Sequence, residues 1–157
     1  TLIELLVVVA IIGILAAVGV TTFGGFQDKA KVNSTKAIHK SVQKKIAAEV
    51  VKCTLGDSTI FSGKVTCSTT PSTLAGNINS TLSGSGNKDM FSDTNPFGSG
   101  LAVKTGGSFT LGQVSLSVSN ADIILKTCFK DACSSSDNQL QDWQGLIIQL
   151  KQPLEKY

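Results

Sequence analysis

The sequence predicts an α+β fold in which a long N-terminal helix packs on an antiparallel sheet of about four strands. Three patterns predict it: sixteen consecutive apolar or glycine residues at 5–20, a helical apolar period over 27–52, and an apolar period of two from Leu101 onwards. A length of 157 residues suits one domain, but the apolar residues are concentrated at the N-terminus. That asymmetry excludes a uniformly globular protein.

The first segment, residues 1–26, is predicted to be a hydrophobic helix. Residues 2–20, at 1.5 Å of rise per residue, nearly span the ~30 Å hydrocarbon core of a bilayer. A cleaved signal peptide is disfavoured because Glu4 lies in the segment and no positively charged region precedes it. A plain membrane anchor remains an open alternative.

The second segment, residues 27–52, is predicted to be the amphipathic half of the same helix. Its apolar residues recur every fourth position, and lysines lie on the opposite side. The apolar stripe is Ile38, Val42, Ile46 and Val50; the lysine stripe is Lys36, Lys40 and Lys44. Because no proline precedes Pro71, residues 1–52 can form a single helix of about 78 Å.

The remainder of the chain is predicted to contain a connecting loop at 53–98 and the sheet at 99–157. Apolar alternation at 59–65 allows one or two short strands within the loop. The sheet strands are expected at 101–103, 114–118, 123–128 and 143–150. The apolar stripe of the helix is the expected cover for the apolar face of this sheet.

Charge excludes several classes of function. The net charge is −1 over residues 1–26, +5 over 27–52 and −1 over 53–157, so the basic character is local. All fourteen basic residues are lysines, which lack the bidentate guanidinium that reads DNA bases. The lysine stripe could contact DNA phosphates, but a solvated or subunit-contacting helix face is the favoured interpretation.

The inventory of catalytic side chains is equally restrictive. His39 is the only histidine, so a Ser-His-Asp triad, a Cys-His pair or a His-containing zinc site would have to recruit it. We expect no enzymatic activity and no cofactor. A zinc site made of cysteines alone remains arithmetically possible, but the spacings give no CxxC pair, and disulfides in an oxidising compartment are favoured.

The N-terminal residues also resemble a known family. Residues 1–18 read TLIELLVVVAIIGILAAV, which closely resembles the N-terminal signature of bacterial type IV pilins. The match covers about the first 22 residues and is specific, because an acid at position 4 of an apolar helix is energetically costly. Mature subunits of the family begin with an N-methylated phenylalanine just before this stretch, whereas this chain begins at Thr1. A further departure is Thr21, which stands where many members have proline.

The resemblance implies the type IV pilin fold, with a C-terminal loop that is often closed by a disulfide. It also implies a structural subunit that polymerises through its N-terminal helix, from an inner-membrane pool and with the pilus assembly machinery, into an extracellular pilus. Such pili serve motility, adhesion or DNA uptake. The alternatives are a pseudopilin of a type II secretion system and a membrane-anchored binding module that does not polymerise.

The resemblance assigns the assembly role to the apolar helix, and the expected assembly residues are Thr1, Glu4, Leu5, Val9, Ile12 and Leu15. No lysine precedes Lys29, so the cation nearest to Glu4 is an N-terminal amine, its own or that of a neighbouring copy. Family members are held to pair this glutamate with the amine of the neighbour.

Two further expectations concern the helix and the cysteines. In the assembled filament we expect a non-helical interruption within 14–25, while a detergent-held monomer keeps a continuous helix. The residues that weaken this stretch are Gly13, Gly19, Thr21, Gly24 and Gly25. Pairing of Cys53 with Cys67 and of Cys128 with Cys133 is favoured over the two other connectivities, because closure between sequence neighbours requires the least prior folding.

Overall fold

The fold is α+β and begins with one long helix. In this computed structural model the described residues are 1–83, 90–106, 110–130, 133 and 139–142. Helix α1 spans Leu2–Thr54, and the hairpin strands β1 and β2 span Thr59–Ile60 and Val65–Thr66. The remaining elements are helix α2 at Pro71–Ser83 and strands β3 at Val103–Thr105, β4 at Val114–Ser119, β5 at Asp122–Cys128 and β6 at Gln139–Asp142.

Helix α1 is continuous in the single chain. Thr1 caps its N-terminus, and Glu4 reaches back to the Thr1 nitrogen in a capping box, which satisfies backbone donors that have no partner within the helix. At the other end the Leu55 N–H donates to the Val51 carbonyl at 3.0 Å. All five residues expected to weaken the helix lie within this unbroken element. The interruption expected in an assembled filament stays a prediction.

Helix α2 lies in the segment predicted to be a connecting loop. Pro71 is its first residue, a position where the missing N–H of proline carries no penalty. Leu74, Ile78 and Leu82 recur every fourth residue and are buried. The helix was missed because serine, threonine, glycine and asparagine occupy most of its other positions, and these residues are typical of turns.

The main sheet has the strand order β3-β4-β5-β6. Strands β4 and β5 pair antiparallel, as predicted, with Leu116 opposite Leu125, and β5 also pairs antiparallel with β6. Strand β3 pairs parallel with β4, with Val103 opposite Val114, so the expectation of a wholly antiparallel sheet is wrong at this edge. The fourth strand is Gln139–Asp142, while the strand predicted at 143–150 lies outside the described residues.

A hydrogen-bonded turn at residues 95–100 precedes the parallel strand. Asn95 is buried, and its Nδ2 donates to the Leu111 carbonyl at 2.9 Å while its Oδ1 accepts the Phe97 N–H at 2.9 Å. A bridge between Thr94 and Leu101 closes the turn. The bond from Asn95 to Leu111 joins the segment before β3 to the segment before β4.

The hydrophobic core lies where the second half of α1, helix α2 and the main sheet meet. Val42, Ile46 and Val50 of the predicted apolar stripe are fully buried, and Ile38 packs partly buried beside them. Helix α1 therefore has two halves with different surroundings. Its C-terminal half covers the sheet, and we call the folded part after Lys31 the head.

Candidate assembly surface of helix α1

The N-terminal half of α1 projects from the head. Residues 1–19 and 23–30 are exposed, and partial burial against the head begins at Lys31. Fourteen large apolar side chains are exposed along it: Leu2, Ile3, Leu5, Leu6, Val7, Val8, Val9, Ile11, Ile12, Ile14, Leu15, Val18, Phe23 and Phe26. Because consecutive positions of a helix point in all directions, this half is apolar on every side.

A helix that is apolar on all sides requires an apolar environment. Within the described residues, α1 is the one helix long and apolar enough to cross a membrane, and the most apolar part of it makes no buried contact with the head. Leu5, Val9 and Ile12 follow spacings of four and three and therefore share one side of the helix. Leu15 lies farther round, on the side that carries Glu4.

Glu4 is the one acid in the projecting apolar segment before Asp28. Its Oε2 lies 2.8 Å from the nitrogen of Thr1, which is the chain's amine here, and both side chains are 80% exposed. The structure thus brings Thr1 and Glu4 together within one chain. If a residue preceded Thr1, this nitrogen would be an amide. Its N–H would still donate to the Glu4 carboxylate, as in a capping box.

Glycine and alanine form a shallow groove on the projecting half. The groove is open to solvent and is lined by Ala16, Gly19, Phe23, Gly24 and Gln27. A Cβ atom added at Gly19 or Gly24 would meet no atom within 4 Å. Contacts within the single chain therefore do not require glycine at either position.

The docked half of α1 is held by a polar contact that was not predicted from the sequence. His39 is 1% exposed, and its Nδ1 lies 2.7 Å from Oγ1 of the buried Thr127 on β5. Thr35, one turn earlier, is also buried and donates to the Lys31 carbonyl at 2.9 Å. His39 lies three residues before Val42, and Thr35 lies four residues before His39, so helical spacings of three and four place both on the side of the apolar stripe. That spacing is the signal that could have placed them on the buried side.

Lysines on both sides of the docked face lie over phenylalanine rings of the head. The Nζ of Lys36 is 4.3 Å from the ring centroid of Phe129, and that of Lys31 is 5.8 Å from the centroid of Phe97. The lysine stripe is therefore divided: Lys36 is half-buried against the head, whereas Lys40 and Lys44 are exposed. This division weakens the interpretation of the stripe as a continuous phosphate-binding surface.

Glu49 links the end of α1 to the β1–β2 hairpin. Its Oε2 accepts the Phe61 N–H at 2.7 Å, and its Oε1 accepts from the Nζ of Lys52. Burial alone would raise the pKa of this carboxyl, but the hydrogen bonds from Lys52 and Phe61 and the charges of Lys52 and Lys45 together lower it. The carboxylate form is therefore favoured in the folded state.

All four cysteines form disulfides. Cys53 is bonded to Cys67 and Cys128 to Cys133, which confirms the pairing favoured from the sequence. The first disulfide joins the end of α1 to the residue after β2, and the second closes a short loop after β5. The sulfur atoms are thus bonded to each other rather than available to zinc, and the described residues contain no group of three or more metal-ligating side chains.

Both Asn-X-Ser/Thr sequences lie in helices. Asn33 is in α1, and its partner Thr35 is buried, with its hydroxyl bonded to the Lys31 carbonyl. Asn79 is in α2, where the Thr81 hydroxyl donates to the Asn77 carbonyl at 2.8 Å. Glycan acceptors of this type lie in surface loops, so neither position has the expected setting.

Comparisons of this chain with protein-family models, curated proteins and solved structures find no match. The long apolar helix and the disulfides agree with the pilin resemblance of residues 1–22. The site with an evident physical requirement for a partner is the projecting half of α1.

Proposed function

We propose that this protein is a structural subunit of a type IV pilus and that it polymerises through the projecting half of helix α1. The observation that carries the proposal is the exposure of fourteen large apolar side chains on a helix whose other half is firmly docked. A folded head needs no such extension for its own stability. A membrane stores the helix before assembly, and copies of the same helix replace the lipid afterwards.

The energy available from this surface suits a filament without covalent links. Burying one aliphatic or aromatic side chain is worth roughly 1.5–3 kcal/mol, at about 25 cal/mol per Å² of apolar area. Even partial burial of the fourteen side chains therefore releases more free energy than the association of a weak dimer. Parallel helices that pack head to tail do not close on themselves, so the product is an open helical polymer with the heads outside.

Glu4 provides the register in this proposal. An uncompensated carboxylate at membrane depth or in a dry helix core costs on the order of 2.5–3.5 kcal/mol or more. In the single chain, Glu4 contacts its own Thr1 nitrogen while both groups are exposed to solvent. In the filament, the amine of a neighbouring copy would meet this charge, and a copy placed at another level would leave it unpaired.

The proposed location follows from the same features. The subunit waits in the inner membrane, anchored by residues 2–20, and ends in a pilus outside the cell. The two disulfides suit the oxidising environment outside the cytoplasm. Motility, adhesion and DNA uptake are all open to such a filament.

A membrane-anchored head that never polymerises is the second candidate. The feature that favours it is the same helix, which is long and apolar enough to span a membrane by itself. A pseudopilin would share this helix as well. The candidates differ in whether the chain forms long filaments outside the cell.

The proposal is tested by expressing the chain in a pilus-competent bacterium that lacks its own major pilin. We expect negative-stain microscopy of sheared surface material to show filaments that an antibody against the head labels along their length. Glu4→Val should insert in the membrane normally and yield few or no filaments. Asp28→Val, a matched acid substitution on the exposed part of α1, should assemble.

One result would contradict polymerisation, and another would contradict only the role of Glu4. Labelled chain that stays entirely in the membrane fraction, in a host that assembles other pilins, indicates an anchored module. Normal filament yield from Glu4→Val would leave polymerisation standing but would refute the assigned role of Glu4.

A further inference from the structure

Two lysines follow directly after the apolar part of helix α1. Phe26 is the last of the fourteen exposed apolar side chains, and Asp28, Lys29 and Lys31 lie within the next five residues. Lys29 is exposed, and Lys31 is half-buried with its Nζ 5.8 Å from the ring centroid of Phe97. The apolar surface therefore ends at a short charged segment with two lysines and one acid.

The spacing between Glu4 and Lys29 matches the thickness of a bilayer. The two residues are separated by about 38 Å of continuous helix, at 1.5 Å of rise per residue. The hydrocarbon core is about 30 Å thick, and the bilayer with its headgroups about 40–45 Å. Residues 5–27 carry no charged side chain. When residues 5–24 fill the core, Glu4 lies in one headgroup layer and Lys29 in the other.

The direction of helical side chains favours contact with the headgroups. Side chains of an α-helix lean towards its N-terminus, which here is the side of the bilayer. The Cα atom of Lys29 lies about 7.5 Å beyond residue 24 along the axis, and that of Lys31 about 10 Å. A headgroup layer is roughly 5–8 Å thick. Both ammonium groups can therefore reach back into this layer while the helix axis stays upright.

We propose that Lys29 and Lys31 bind the phosphates of anionic phospholipids at the bilayer surface and so fix the depth of α1 in the membrane. The inference rests on the membrane anchorage in the proposed function, but it does not require polymerisation. Ion pairs between the ammonium groups and the headgroups hold one end of the apolar segment at the surface. The head then sits at a constant height above the bilayer, and Glu4 is kept at the opposite surface.

The other charges of α1 lie at different levels or have the opposite effect. Asp28 lies at the same level as Lys29 and repels anionic lipids. The ammonium of Lys36 is held 4.3 Å from the ring centroid of Phe129. Lys40 and Lys44 are exposed, but they lie about 24 and 30 Å beyond residue 24, well outside the screening length of about 8 Å at physiological salt. Attraction to lipid should therefore be confined to the first two lysines.

The test uses the full-length chain with intact disulfides in phosphatidylcholine bilayers, studied by electron paramagnetic resonance of spin-labelled lipids. The spectra distinguish labelled lipid that contacts the helix from bulk lipid, so they give the preference for phosphatidylglycerol over phosphatidylcholine. We expect a preference of about fivefold, because each lysine near the surface contributes about this factor and Asp28 offsets one of the two. The preference should disappear in 1 M sodium chloride, where the screening length is about 3 Å.

Substitutions at one level of the helix should act in both directions. Lys29→Gln should abolish the preference, and Lys29→Arg, which keeps the charge, should retain it. Asp28→Asn should raise the preference about fivefold. The matched control replaces both Lys40 and Lys44 by glutamine and should behave like the wild type. Lys29 is exposed and precedes the first described contact with the head, so the NMR signals of the sheet should be unchanged in Lys29→Gln.

The inference is overturned if the inserted wild-type chain shows no preference for phosphatidylglycerol, or if the Lys40 and Lys44 control loses as much as Lys29→Gln. It is also overturned if inorganic phosphate removes the preference more strongly than sodium chloride of equal ionic strength, because that indicates a site for free phosphate. Flotation with the bilayers separates this inference from the proposed function. A chain that floats without a lipid preference contradicts only the lysine contacts, whereas a chain that does not float contradicts the membrane anchorage itself.

Discussion

Substitutions in the two halves of α1 should separate head stability from assembly. Ile46 is 1% exposed in the docked half, and Ile12 is 58% exposed in the projecting half. Truncation of a fully buried isoleucine to alanine removes three carbons from the core and leaves a cavity, at a cost of about 2–5 kcal/mol. Ile46→Ala should therefore destabilise the head by an amount in this range, whereas Ile12→Ala should change head stability by less than about 0.5 kcal/mol.

The assay is urea unfolding of the full-length chain in a mild detergent, followed by circular dichroism and by the NMR signals of the sheet. The midpoint for Ile46→Ala should fall at an unchanged slope, because the same surface is exposed on unfolding. In the expression host, filament yield should respond directly to the substitution in the projecting half, which leaves the unfolding midpoint nearly unchanged. Ile12→Ala should lower filament yield while the head remains folded, since each subunit loses part of its apolar contact with its neighbours.

The reasoning is refuted if Ile12→Ala lowers the unfolding midpoint as much as Ile46→Ala does. That result would mean that the projecting half packs on the head in solution. A normal filament yield from Ile12→Ala would not affect the stability argument, but it would remove Ile12 from the assembly surface.

Two further substitution pairs have measurable outcomes. Gly112→Ala should destabilise the head by about 1–3 kcal/mol, because Gly112 has a φ of 80° and a Cβ there would overlap the Asn95 side chain. Gly76→Ala in α2, where a Cβ meets no atom within 4 Å, should instead stabilise it by about 0.5–1 kcal/mol, and thermal unfolding compares the two. Lys36→Ala should cost about 0.5–1 kcal/mol through its contact with Phe129. Lys40→Ala, on the exposed side, should be neutral in the same urea titration, and equal losses from both lysines would argue against the cation–π contact.

Helix α1 and strands β4 and β5 were predicted because their apolar periodicity is a local property of the sequence. The apolar run and the spacing of Val42, Ile46 and Val50 predicted both halves of α1 because helix periodicity is visible in any single chain. Alternation predicted β4 and β5 for the same reason. Helix α2 was missed because its apolar residues are few and its polar residues favour turns, so contact with the sheet, rather than propensity, stabilises it.

The features that were not predicted depend on residues far apart in sequence. The parallel pairing of β3 with β4 is accompanied by a hydrogen bond from Asn95 to a carbonyl sixteen residues away. The burial of His39 depends on Thr127, 88 residues further along the chain. At the candidate site, Glu4 and the apolar positions were evident from the sequence because they need no tertiary contact. The hydrogen bond from the Phe61 N–H to Glu49 could not be predicted from any local pattern, because the two residues lie on different elements.

The described fastenings between α1 and the head all begin at Lys31. They run from the Lys31 contact with Phe97, through His39 and Thr127, to the disulfide at Cys53. The first thirty residues thus form a projecting helical arm about 45 Å long, and the contacts that fix it to the head extend over several turns of the docked half. A force that bends the projecting arm acts first on the contacts at Lys31 and His39 and only then on the sheet. In a filament of the kind proposed above, bending would therefore act on the packed helices before it acted on the sheets of the heads.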